Sequence, residues 1–99
     1  MTRAVIEMRT THQGRVTIRG HAGDPLVCAG ISTLLGAALN VLGDALEDVT
    51  YKSGDVAFDV NVTDGVQMGA LNTLVEGLEM IEEKFPGRVG VTLIGPDGV

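Results

Sequence analysis

Ninety-nine residues suffice for one hydrophobic core and no more, so residues 1–99 are expected to form a single domain. Apolar side chains make up 44% of the chain, which argues for a packed core and against intrinsic disorder, and the one cysteine excludes an internal disulfide and a four-cysteine zinc site. A formal charge of −6, seven basic residues scattered along the chain and three aromatics argue against nucleic acid and favour a basic protein or peptide partner.

Met1-Thr2-Arg3-Ala4 opens no signal-peptide block, and no apolar run is expected to approach the ~20 residues of a membrane span. The chain therefore reads as cytoplasmic, with no membrane role. Ala4–Thr10 alternates, with Ala4, Ile6 and Met8 on one face and Val5, Glu7 and Arg9 on the other. Arg15–Arg19 alternates again, with Val16 and Ile18 facing in. Between them Thr11-His12-Gln13-Gly14 reads as a hairpin turn in which Gly14 supplies a positive φ, and His12 as an exposed turn residue. The helical period then runs over Val27–Leu46, with Ile31, Leu34, Leu35, Ala38, Leu42 and Leu46 at spacings of three and four. Gly36 inside it suggests close packing against the sheet or a second copy. Gly43 marks a helix end, with Asp44–Asp48 as a short extension.

Val49 and Tyr51, then Val56, Phe58, Val60 and Val62, alternate around Ser53-Gly54-Asp55 and predict a second hairpin. Asp64 caps a second helix, with Gln67 three residues on as a capping box requires. Its buried stripe is Leu71, Leu74, Val75, Leu78, Ile81 and Phe85, and its solvated face carries Glu76, Glu79, Glu82 and Glu83. Pro86-Gly87 ends it, Val89, Val91 and Leu93 form a last strand, and Gly95-Pro96-Asp97-Gly98 is a frayed tail. The order ββαββαβ predicts an α+β two-layer sandwich: a mainly antiparallel sheet with two helices on one face.

Most of this is scaffold; the segment from Gly20 to Ser32 is not. It holds the only cysteine, Cys28, and one of two histidines, His21, at either end of a Gly/Asp/Pro loop. His21 is expected to end a strand and Cys28 to fall in the first turn of a helix. Free amides and the helix dipole favour negative charge there, and the thiolate is the nucleophilic form of cysteine. An imidazole across the loop can take the thiol proton, and the amides from Cys28 through Ala29 to Gly30 can donate to an oxyanion. Asp24, followed by Pro25, is placed to cap the helix or to orient His21. The residues alone leave two readings open: a site for acyl transfer from a peptide bond, or a non-catalytic binding and assembly module in which Cys28 is a small buried helix residue. Neither needs a metal or other cofactor. His21, Asp24 and Cys28 on one loop lack the second ligand pair of a zinc site, and Gly20 and Gly23 lack the lysine of a phosphate-binding loop.

The stretch Gly20-His21-Ala22, then Val27-Cys28-Ala29-Gly30-Ile31-Ser32, resembles the signature of the ribosomal-processing cysteine protease family, Prp, and the element order is similar over nearly the whole chain. The resemblance implies a homodimeric α/β sandwich that removes the N-terminal extension of a large-subunit ribosomal protein. The alternative it implies is a prophage-encoded protease that processes a capsid or scaffold protein. It implies Cys28 as nucleophile, His21 as general base and acid, and Ser32 as a supporting residue one helical turn on. Two features depart from the family pattern: only six residues separate His21 from Cys28, and Pro25 stands three before the cysteine where an acidic residue is usual, with Asp24 one further back.

Overall fold

The structure, a computed structural model, describes residues 1–52 and 54–96. The expected turn position Ser53 and the tail from Asp97 lie outside the described residues. Strands β1 (Thr2–Met8) and β2 (Gln13–Arg19) pair antiparallel, with Ala4 opposite Ile18 and Ile6 opposite Val16. Helix α1 (Pro25–Leu42) and a 3-10 turn (Gly43–Ala45) lead to β3 (Leu46–Lys52) and β4 (Asp55–Asn61). Helix α2 (Gly65–Lys84) then crosses to β5 (Val89–Ile94). The sheet order is β3-β4-β2-β1-β5, antiparallel except for the parallel pair β1–β5.

Alternation puts Ala4, Ile6, Val16, Ile18, Phe58 and Val60 on one face of the sheet. Both helices cover that face with Val27, Ile31, Leu35 and Leu42 of α1 and Leu71, Leu74 and Leu78 of α2, in one core cluster. Each fully buried residue of this size contributes roughly 1.5–3 kcal/mol. The predicted two-layer α+β sandwich is the observed fold.

Several local expectations change, each for a physical reason. β1 begins two residues earlier than its alternation suggested, because Thr2 is buried and hydrogen-bonded. Gly14 is a residue of β2 rather than of the turn and has no positive φ. It is glycine because a Cβ would lie 2.5 Å from the Glu7 carbonyl oxygen. α1 ends at Leu42, where Gly43 (φ 45°) turns the chain out and its N–H bonds Leu39 O, so Leu46 begins β3 instead of ending the helix. Gly36 packs against no other element among the described residues, since a Cβ there would meet none of their atoms within 4 Å. The close approach is at Gly77 of α2, where a Cβ would lie 2.5 Å from Leu34 Cδ2 of α1.

β3 forms an edge, and Val49 and Tyr51 stay exposed there. Glu82 leaves the solvated face of α2 and accepts a 2.8 Å hydrogen bond from Val91 N on the other edge strand. Contrary to expectation, the segment Pro25–Ala45 is long and apolar enough, by length and composition, to cross a membrane. In this fold its buried stripe is one wall of the core. The basic residues are less scattered than the sequence implied. Register sets Arg3 opposite Arg19 and Arg15 opposite Glu7 on the uncovered sheet face, where Arg15 and Arg9 reach Asp59 at 3.0 and 3.5 Å.

Candidate active site

The site is built where β2 hands over to α1. β2 ends at Arg19, and Gly20 (φ 86°) swings the chain off the sheet. Only glycine fits, because a Cβ would lie 2.7 Å from Met1 O. The turn is tied at both polar atoms: Gly20 N donates to Asp55 Oδ1 (3.0 Å), and Thr2 Oγ1 donates to Gly20 O (3.2 Å). His21 therefore sits just beyond the strand, exposed, rather than at its last position. Its imidazole lies against Gly54 in the β3–β4 turn. A Cβ on Gly54 would stand 2.6 Å from His21 Nε2, and Gly54 itself has φ 82°. The sequence marks Gly54 only as a turn residue; its place under the imidazole has no local sequence signal.

Ala22, next in the loop, is buried, and its carbonyl accepts a 3.1 Å hydrogen bond from Arg88 Nη1. Gly23 (φ 74°) leads to Asp24, the N-cap of α1, whose carboxylate accepts from Leu26 N (2.9 Å) and Val27 N (3.4 Å). Of the two roles open to Asp24, capping is the one its hydrogen bonds perform. Pro25 follows at the first helical position, where its missing N–H costs nothing. Cys28 comes one turn in, half-buried and free of any disulfide.

His21, Cys28 and Ser32 line one cleft of about 300 Å³. Its floor is apolar, from Ile18, Ile31, Leu35 and Val56, and exposed Tyr51 of β3 forms an outer wall. The two expected partners, distant in kind but close in sequence, thus face the same space. Ser32 joins them because it stands one turn beyond Cys28 on the same side of α1.

The expected oxyanion donors are not so placed. Cys28 N–H is already engaged, donating to Asp24 O at 3.0 Å, and the two amides before it are taken by the Asp24 carboxylate. Ala29 and Gly30 lie within the helical ladder, and neither lines the cleft. Gly30 turns instead toward α2, where a Cβ on it would be 3.8 Å from Ile81 Cδ1. The reason is the 100° step of the helix, which carries successive residues off the face that holds Cys28. Ser32 is therefore the hydroxyl donor that the helix presents to the cleft.

His12 is not part of this site. It is exposed at the opposite end of β2, with Nδ1 2.8 Å from Thr11 Oγ1. Among the described residues no group of three or more His, Cys, Asp or Glu side chains is placed to hold a metal ion.

The family model for the cysteine protease Prp matches residues 1–90. The fold is similar to that of an essential ribosomal processing protease Prp from S. aureus, solved with a covalently linked product peptide: 23% identity, 94% of this chain and 99% of that one, TM-score 0.80. A second structure of that protease, with a substrate peptide, is 21% identical over 94% of this chain and 99% of that one, TM-score 0.73. A Streptococcus mutans protein is 22% identical over 96% of this chain and 95% of its own, TM-score 0.71. No curated relative matches the chain.

Proposed function

This chain belongs to the Prp family of cysteine proteases, and on that premise we propose that Cys28 is its nucleophile and His21 its general base and acid. The observation that carries this reading is the single cleft lined by His21, Cys28 and Ser32. The imidazole takes the thiol proton, and Sγ attacks the scissile carbonyl, forming the C–S bond of a tetrahedral intermediate. The Ser32 hydroxyl donates to the oxygen that gains charge. As the C–N bond breaks, the imidazolium returns its proton to the leaving amine. A water molecule, deprotonated by His21, then hydrolyses the thioester and restores the thiol. No metal or other cofactor enters any step.

The substrate in this reading is an extended peptide, the N-terminal extension of a large-subunit ribosomal protein. Three points support it. The related S. aureus enzyme is a ribosomal processing protease solved with peptides. The apolar floor suits apolar side chains beside the cut. The net charge of −6 draws a basic segment toward the protein. The reading extends to a cytoplasmic homodimer. Support for the dimer is the absence of any charged side chain from the 18 residues of α1, whose outer face leaves Leu26 and Val41 exposed.

The test is incubation with a large-subunit ribosomal protein that carries its N-terminal extension, read by intact mass. Wild type should yield one shortened protein and one released peptide, while Cys28→Ser and His21→Ala leave the substrate whole. Cleavage by Cys28→Ser would remove the nucleophile assignment. Cleavage of virion proteins but not of the ribosomal one would remove the substrate assignment. Light scattering should give twice the chain mass, and a monomer at working concentration would remove the dimer.

A further inference from the structure

We infer that Arg88 is a positioning residue for His21, acting through the loop backbone; the inference rests on the proposed Cys28/His21 pair. Arg88 lies in the link between α2 and β5, 66 residues from the carbonyl it holds, and has no salt-bridge partner among the described residues. Its Nη1 donates to Ala22 O at 3.1 Å, on the residue that follows His21. Gly23 leaves the room for this: a Cβ there would stand 3.0 Å from the same Nη1.

Arg88 is itself fixed by its backbone. Its N–H donates to Phe85 O (3.1 Å), and its carbonyl accepts from Thr2 N (3.0 Å). Thr2, buried, uses its hydroxyl to hold Gly20 O on the other side of the histidine. The carbonyls of the residues on either side of His21, Gly20 and Ala22, are therefore both pinned to one corner, where β1 and β5 begin.

Such pinning is needed here because the loop cannot stiffen itself. His21 is exposed and is flanked by Gly20 and Gly23, both at positive φ, with no strand or helix hydrogen bonds of its own. The imidazole must nevertheless stay over Gly54 and face Cys28. A guanidinium suits the task, since its charge strengthens the bond to the carbonyl and its planar fork fixes the direction.

The test needs no substrate. Alkylation of Cys28 by iodoacetamide at neutral pH is timed by intact mass in wild type, Arg88→Ala, Arg88→Lys, His21→Ala and the His21→Ala/Arg88→Ala double variant. Arg88→Ala should slow the reaction about ten- to hundredfold, the scale of a misplaced catalytic group. Arg88→Lys, which keeps the charge, should recover part of the rate and guards against a variant that fails to fold. In the His21→Ala background, removing Arg88 should change nothing further. Equal effects in both backgrounds would make Arg88 a general structural residue and overturn the inference. A wild-type rate in Arg88→Ala, with His21→Ala still slow, would overturn it alone. Equal rates in wild type and His21→Ala would overturn the His21 pairing and this inference with it. In peptide hydrolysis Arg88→Ala should lower kcat and leave KM unchanged.

Discussion

Two helices of this protein begin alike and end up with different tasks. Asp24 and Asp64 both stand in extended conformation before their helices and both accept backbone amides through Oδ1. At α2 the third helical residue, Gln67, answers back. Its Oε1 accepts from Thr63 N (2.8 Å) and Thr63 Oγ1 (3.0 Å), so that helix start is closed by its own side chains. At α1 the corresponding residue is Val27, buried in the core, and no reply is made. The next residue, Cys28, instead shares a cleft with a histidine carried by the tethered loop that leads into the helix. Capping is common to both ends and explains neither chemistry nor its absence. What differs is whether the loop before the helix brings a partner back to the first turn.

The largest test of that contrast removes the thiol. Cys28→Ala should abolish peptide hydrolysis, seen as loss of product in a mass assay, while far-ultraviolet circular dichroism is unchanged. His21→Ala should lower kcat by ~10²–10⁴, the usual range for a general acid–base group. α2 should answer to stability instead. Leu74→Ala, at a fully buried position, should lower the unfolding free energy by ~2–5 kcal/mol in urea titration.

Gly54→Ala acts on the delivered partner. It places a Cβ against the imidazole and an L-residue at φ 82°, so a strain of roughly 1–2 kcal/mol should accompany a fall in kcat. The finest cut compares the caps themselves. Asp24→Ala and Asp64→Ala should each cost ~1 kcal/mol of stability, but only Asp24→Ala should change the rate of Cys28 alkylation. Equal indifference of the thiol to both would dissolve the distinction between the two helix starts.

Much of this was legible in the sequence because it is local. Alternation in Val16 and Ile18 or Phe58 and Val60, the three-four spacing from Ile31 to Leu42, and the Asp-Pro and Asp-x-x-Gln helix starts all report on neighbours within a few residues. That His21 and Cys28 come to line one cleft was legible for the same reason, since one short loop joins them. What the sequence hid is non-local. Gly54 under the imidazole, Arg88 on the Ala22 carbonyl and Glu82 on Val91 N join elements far apart in the chain, and none has a pattern of its own. Gly14 and Gly36 mislead because a glycine's reason lies in what a Cβ would strike, which only the assembled sheet and helices reveal. The amides offered for an oxyanion turn on a similar point: which amides of a helix start are engaged depends on the cap, and Asp24 uses both its carboxylate and its carbonyl.

The central claim is that His21 activates Cys28. It is tested most directly by the alkylation rate of Cys28 from acid to alkaline pH, in wild type and His21→Ala. The account predicts that wild type reacts faster than His21→Ala at neutral pH, because the imidazole takes the thiol proton. Superimposable profiles across the whole range would contradict it.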